Sequence, residues 1–306
     1  MSFKKRFILY GCVAVAVLGG AIAYRQYHRT LREGKGPAGP AVARERFAKP
    51  WSDRATLLVG FGDSVTAGFG STPGHSYFDR LLQNPPDEWG DMKGICLRTV
   101  LPNLTASNRA VNGSTSFQHL EKIRAMPPSG PDVRAIVVMT TGGNDLIHDY
   151  GRTPPRDGAM FGASWNEAQP WVASFENRLD EMLRLLQEKF PGGCDVFLGN
   201  IFDPTDGVGD ISNAGLPAWP DGLRLLTAYN EVIERVSKRH EHVHLVDSRG
   251  VLLGHGIHCT ERSAKYYDAR DPHYWYYSNL EDPNDRGYDA IRRAFLNEIA
   301  AVMGPK

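Results

Sequence analysis

The chain has 306 residues, with 35 Lys plus Arg and 35 Asp plus Glu, so its formal net charge is zero. A neutral chain does not favour a nucleic-acid binder, which needs surplus cations to displace the counterions of a phosphate backbone. The hydrophobic fraction of 42% also argues against disorder, and the length is enough to bury a core without metals or disulfides.

The N-terminal segment, residues 1–29, reads as a signal anchor or a signal peptide. Residues 4–6 are basic and residues 7–24 carry no charge. As a helix this stretch would reach about 27 Å, close to the thickness of a bilayer core and longer than most cleaved signals. We expect an uncleaved anchor with the following domain outside the cytoplasm. Residues 21–23 (Ala-Ile-Ala) imitate a cleavage site, so secretion after cleavage stays open.

Residues 30–53 contain Pro, Gly and scattered charges without apolar periodicity, and we interpret them as a linker. Residues 54–306 then form one globular domain. Three of the four cysteines, Cys96, Cys194 and Cys259, lie in this domain. They fit either one disulfide plus a free thiol or three buried thiols.

The domain alternates predicted strands and helices. Apolar runs rich in β-branched residues predict strands at 56–61, 104–111, 135–140, 195–201 and 243–247. Apolar steps of three and four residues predict helices over 172–190, 226–236 and 291–299. This alternation is typical of an α/β fold with a parallel sheet, whose ligand site lies beyond the carboxyl ends of the strands.

A serine follows the first predicted strand in residues 62–68, Gly-Asp-Ser-Val-Thr-Ala-Gly. A serine at this bend is presented at the sheet edge, where its hydroxyl can attack a carbonyl carbon. Alone, Ser64 would be explained equally well as the N-cap of a helix.

Two further loops point to the same edge. Residues 110–114 (Ala-Val-Asn-Gly-Ser) and 141–145 (Thr-Gly-Gly-Asn-Asp) follow the second and third predicted strands. Glycine allows close approach of the backbone to a ligand, and an asparagine amide can donate to a developing oxyanion. The three loops together predict one site.

At these residues the sequence resembles the SGNH (GDSL) hydrolase family, over about residues 55–302. The resemblance implies a flavodoxin-like three-layer fold with a mostly parallel five-stranded sheet. It also implies that Ser64 is the nucleophile and that the Ser64 N–H, the Gly113 N–H and the Asn144 amide hold the oxyanion. It requires no cofactor and no metal.

The family's last block, Asp-x-x-His-Pro, is altered here. Aligned on Pro283, the histidine position is Asp282 and the aspartate position is Asn279. A serine hydroxyl needs a neighbouring base, so another group must take the proton.

Three histidines, at 255, 258 and 273, lie in the long loop before the last predicted helix. His273 lies nearest the altered block, and we expect it to be the base, with Asp271 or Asp282 orienting its ring. His258 is the second choice. The alternative is that His273 only packs within the aromatic run that follows it.

We therefore expect a serine ester hydrolase acting on a small-molecule or polymer-borne acyl ester. A non-catalytic binding protein on the same fold, which lost catalysis with the histidine, is the alternative from another class. Acyl transfer to a sugar hydroxyl is the third possibility.

Overall fold

The computed structural model describes residues 10, 15, 17–21 and 32–305. The described residues form one five-stranded sheet, in the order β2-β1-β3-β4-β5, and every neighbouring pair is parallel. Its strands are β1 Thr56–Phe61, β2 Leu104–Asn108, β3 Arg134–Thr140, β4 Cys194–Gly199 and β5 Val243–Val246. The parallel α/β sheet predicted from the sequence is confirmed, with strand bounds displaced by a few residues at most.

Helices cover the strands and connect them. In the described part of the chain they are α1 Ser64–Ala67, α2 Tyr77–Leu82, α3 Leu97–Val100, α4 Ser116–Ala125, α5 Gly143–Ile147, α6 Trp165–Lys189, α7 Gly222–Ser237, α8 Ser248–Leu252 and α9 Asp285–Met303. The three helices predicted from periodicity are α6, α7 and α9, each longer at its N-terminal end than the apolar pattern indicated. A side-chain cap begins two of them, at Ser164 for α6 and Asn284 for α9.

The sheet is buried on both faces, which makes the fold a three-layer sandwich. Alternate residues of each strand face opposite layers: Leu58 packs in the core with α2 and α9, whereas Val59 packs in the core with α4, α6 and α7. The central strand β3 has six consecutive buried residues, as expected of a parallel strand covered on both sides.

The predicted membrane segment, residues 7–24, lies mostly outside the described residues. Across the portions that the structure does describe, no helix combines the length and the apolar character needed to span a bilayer. From residue 34 on, the predicted linker lies along the domain: the Ala38 N–H donates to Asp289 Oδ2 at 3.0 Å, and Phe47 is buried against Trp51.

The three cysteines of the domain, Cys96, Cys194 and Cys259, are free and buried. Of the two arrangements that the sequence left open, the structure has three buried thiols. Burial raises the pKa of the Cys259 thiol to about 11, so this thiol is protonated at neutral pH.

Candidate active site

Ser64 is held at the carboxyl end of β1 by a bend that only glycine allows. Gly62 has φ +135°, and a Cβ there would lie 2.3 Å from the Thr140 carbonyl oxygen of the neighbouring strand. Asp63 then caps α1 by accepting from the Val65 N–H at 3.2 Å. Ser64 is therefore the first residue of a short helix that begins directly above the sheet.

Buried hydrogen bonds fix the position of this helix. The Thr140 hydroxyl donates to Asp63 Oδ1 at 2.7 Å, and the Thr66 hydroxyl bonds the Thr140 hydroxyl at 2.8 Å and the Tyr77 hydroxyl at 2.7 Å. Burial raises the pKa of Asp63 to about 6, although the bond from Thr140 opposes the rise. Asp63 is therefore a structural support for Ser64.

The glycine loop after β2 is tied to the same bend. The Val111 N–H and the Ser114 hydroxyl both donate to the Gly62 carbonyl, at 2.9 and 3.1 Å. Gly113, with φ +73°, lies between these two anchors. Neither the Gly113 N–H nor the Ser64 N–H takes part in a backbone hydrogen bond among the residues described, so both are free to meet a ligand oxygen.

Asn144 enters the site at the start of α5, directly after β3. Its Nδ2 donates to the Ser114 carbonyl at 3.0 Å, which positions the amide and leaves its second hydrogen for another acceptor. The next residue, Asp145, is fully buried and accepts from the Ser116 N–H at 2.9 Å and the Ser116 hydroxyl at 2.6 Å. Asp145 thus holds the N-terminus of α4 in place, and Asn144 beside it presents its amide to the site.

His119 also supports the site, a role that the sequence reasoning missed. Its Nε2 bonds the Ser114 hydroxyl and its Nδ1 bonds the Thr141 hydroxyl, both at 2.8 Å. Burial lowers the pKa of His119 to about 3, so the ring is neutral. The sequence feature that could have identified His119 is its position on the apolar face of α4, four residues before the buried Ile123.

A cavity of about 140 Å³ opens beside Ser64 and Asn144. Most of its wall is apolar and comes from the segments that follow β3 and β4. Residues that supply this wall include Leu146, Phe161, Ile201, Trp219, Leu223 and Leu226. The site therefore offers an apolar space next to a hydroxyl and an amide donor.

The altered last block, residues 279–283, lies in a tight hairpin. The Tyr277 N–H donates to the Asp282 carbonyl at 2.7 Å, and the Asn284 N–H donates to the Trp275 carbonyl at 2.9 Å. Residues 279–281 form the tip of this hairpin and line the cavity. Asp282 is 2% exposed; burial raises its pKa, and the nearby Ser64 hydroxyl lowers it by a smaller amount.

His273, the predicted base, lies at the other end of this hairpin. Its ring packs on Gly34, where a Cβ would lie 2.7 Å from His273 Cγ, and its Nδ1 bonds Asp271 Oδ1 at 2.5 Å. Asp271 also accepts from Arg286. The predicted pairing of His273 with Asp271 is therefore present, but His273 is not among the residues that line the cavity beside Ser64. Its assignment as the base stays a prediction that this placement does not favour.

The other two loop histidines are also engaged elsewhere. His258 is held between two carboxylates, with Nε2 at 2.9 Å from Asp210 Oδ1 and Nδ1 at 2.8 Å from Glu261 Oε1. His255 stacks on Trp275, with ring centroids 3.3 Å apart. Neither of the two lines the cavity beside Ser64.

The protein is therefore a parallel three-layer α/β protein with a serine above the end of β1. Glycine and asparagine loops from the next two strands lie beside this serine. The GDSL-like lipase/acylhydrolase family model matches residues 61–290, and the chain belongs to this family.

Solved structures are similar to the chain at low sequence identity. A catalytic mutant of Axe2, an acetylxylan esterase from Geobacillus stearothermophilus, is 16% identical, with a TM-score of 0.50 over 81% of this chain and 95% of that one. A lipolytic G-D-S-L family protein from Veillonella parvula is 16% identical, with a TM-score of 0.49 over 79% and 97%. No curated protein sequence matches the chain.

Proposed function

We propose that the protein hydrolyses esters with Ser64 as the nucleophile. The observation that carries the proposal is that Ser64 and Asn144 both line one largely apolar cavity. Membership of an acylhydrolase family supports the same reaction.

In this proposal the negative charge that develops on the substrate oxygen is held by three N–H donors. The Ser64 and Gly113 backbone N–H groups have no backbone acceptor of their own among the described residues, and Asn144 keeps one Nδ2 hydrogen. Donors held in place before the reaction need no reorganisation when the charge forms, so each contributes on the order of 10²–10³ in turnover.

The cavity wall favours an ester whose acyl group is an apolar chain. Each buried methylene contributes about 0.8 kcal/mol, or roughly fourfold in kcat/KM where the chain enters the cavity. Leu223 and Leu226 of α7 and Trp219 supply such surface. We therefore expect p-nitrophenyl hexanoate to be a better substrate than the acetate.

The test combines covalent labelling with turnover. A fluorophosphonate probe is expected to modify Ser64 stoichiometrically, and Ser64→Ala is expected to lose both labelling and p-nitrophenyl ester hydrolysis. Ser71→Ala is the matched control, because this serine hydroxyl bonds the Gly68 carbonyl and does not line the cavity.

The same experiment separates the two alternatives. A chain that binds esters but shows no labelling and no turnover at any pH is a binding protein on this fold. Acyl transfer is revealed if an added sugar acceptor receives the acyl group in preference to water. Hydrolysis predicts free acid as the product with and without the acceptor.

We also propose that residues 7–24 hold the domain at a membrane, on the outer side. The uncharged composition of this stretch is the support for the proposal. Alkaline carbonate extraction of membranes from expressing cells tests it, since an anchored chain stays in the pellet and a cleaved one is released at a lower mass.

A further inference from the structure

We propose that Asp282 is the proton acceptor for Ser64, in the place where an imidazole is expected, and that Asn279 positions its carboxylate. The inference rests on the proposed esterase function and assigns the base of that same site. It assigns a carboxylate to a step for which the sequence predicted His273.

The backbone of the hairpin fixes the position of Asp282. Its carbonyl accepts from the Tyr277 N–H, and two residues later Asn284 caps α9 by accepting from the Arg286 and Gly287 N–H groups at 3.0 and 3.1 Å. The backbone of Asp282 is therefore held between a hairpin pair and a helix N-terminus, and its buried side chain is bonded by Asn279.

The two carboxylate oxygens of Asp282 have different surroundings. Oδ2 accepts from Asn279 Nδ2 at 2.7 Å. Oδ1 is buried and has no hydrogen-bond partner among the described residues. The Ser64 hydroxyl lowers the pKa of Asp282 but makes no hydrogen bond of ordinary geometry with the carboxylate, so this contact is long or poorly aligned. Catalytic hydrogen bonds often have this form before a substrate binds, and the open lone pairs of a buried oxygen are what a base requires.

The surroundings of Asp282 also suit proton transfer. Within the described ranges no lysine or arginine forms an ion pair with it, and its negative charge contributes to raising the pKa values of Asp63, Glu281 and Tyr288. Burial raises the pKa of Asp282, and burial with the charge of Asp282 raises that of Glu281 to about 7. A carboxylate with a raised pKa is a stronger base, closer to the operating pH of a general base.

The reaction balances with this one carboxylate. As Ser64 Oγ bonds to the acyl carbon, its proton passes to Asp282 and the carbonyl electron pair moves to the oxyanion. Collapse of this intermediate breaks the ester C–O bond, and the proton on Asp282 goes to the leaving alkoxide. Water then repeats the sequence: it gives a proton to Asp282, its oxygen bonds to the acyl carbon, and Ser64 leaves with that proton.

The decisive variant is Asp282→Asn, which keeps the shape and removes the acceptor. General-base catalysis contributes 10²–10⁴-fold, so kcat/KM for p-nitrophenyl hexanoate is expected to fall by about that factor. The remaining activity should lose the acid limb of its pH profile. The rate of fluorophosphonate labelling of Ser64 should fall in parallel. Asp268→Asn, which changes a half-buried carboxylate bonded to Arg270, is the matched control and should behave as the wild type.

Asp282→His supplies the second measurement. An imidazole at this position should restore part of the activity, with an acid limb near the ordinary histidine pKa of about 6.5. If the Asn variant does not fold, as judged by thermal unfolding, the pH limb of the His variant still decides the question.

These experiments distinguish a wrong assignment of the base from a wrong assignment of the esterase function. Wild-type labelling that persists in Asp282→Asn with an unchanged pH profile, together with loss in His273→Ala, overturns the role of Asp282 and leaves the esterase intact. A wild-type chain that neither labels nor hydrolyses any ester overturns both.

Discussion

Asn279 Nδ2 donates to Asp282 Oδ2 at 2.7 Å, across the tip of the hairpin that precedes α9. In the family's last block, the first of these positions is an aspartate that orients the histidine ring. The second is the histidine, which accepts the serine proton. In this chain the Asn279 amide and the Asp282 carboxylate occupy these two positions and are joined by a hydrogen bond. With Asp282 as the proposed proton acceptor, the pair would keep an orienting group behind the acceptor, with different chemistry in both places.

The first prediction concerns the orienting amide. Asn279→Ala removes a hydrogen bond that lowers the pKa of Asp282, so the acid limb of kcat/KM should move to higher pH. A hydrogen bond to a charged group contributes about 1.5–3 kcal/mol, which corresponds to a shift of roughly one to two pH units. The sign follows because only the ionised carboxylate accepts a proton, and without the amide it is protonated at a higher pH. Stopped-flow turnover between pH 4 and pH 9 measures the limb.

The control for this shift is Asn213→Ala, which removes an exposed amide bonded to Asp210. Its pH profile should overlay that of the wild type. An acid limb that stays in place in Asn279→Ala would show that Asn279 does not act through Asp282.

The second prediction concerns the oxyanion donors. Asn144→Ala should lower kcat by about 10²–10³-fold with a much smaller change in KM, because its free Nδ2 hydrogen is engaged only when charge develops. Steady-state kinetics on p-nitrophenyl hexanoate, with thermal unfolding as the check on the fold, measures this. A change confined to KM would mean that the amide binds the ground state and is not an oxyanion donor.

The third prediction concerns the apolar cavity. Leu226→Trp adds volume to the wall and should lower the ratio of kcat/KM for hexanoate over acetate, by roughly fourfold for each methylene excluded. Val302→Trp introduces the same side chain at an exposed position near the end of α9 and serves as the control. If the ratio does not change in Leu226→Trp, the acyl chain does not enter this cavity.

The fourth prediction concerns the buried acid behind the asparagine. Asp145 accepts two hydrogen bonds from Ser116 and faces Arg178, which also pairs with Asp157. Asp145→Ala leaves the Ser116 donors without their acceptor and should lower the free energy of unfolding by about 3 kcal/mol. Urea denaturation measures the change, and a loss below about 1 kcal/mol would contradict it.

Much of the fold could be predicted because it depends on local pattern. A strand buried on both faces must be apolar along its length, and a helix covering it must repeat its apolar residues every three or four positions. Both signals are carried by contiguous residues, so all five strands and the three long helices could be found. The β4–α7 connection, which builds much of the cavity wall, has no such period and could not be placed.

The sequence by itself determined the parallel α/β architecture and the clustering of Ser64, Gly113 and Asn144, because parallel strands all present their carboxyl ends at one edge. It also revealed that Asp282 stands where a histidine is expected. Only the tertiary structure decided that the loop before α9 closes as a hairpin from Trp275 to Asn284. That pairing of backbone groups holds His273 at one end and brings Asp282 to Ser64, and no spacing of residues along the chain encodes which of the two would face the hydroxyl.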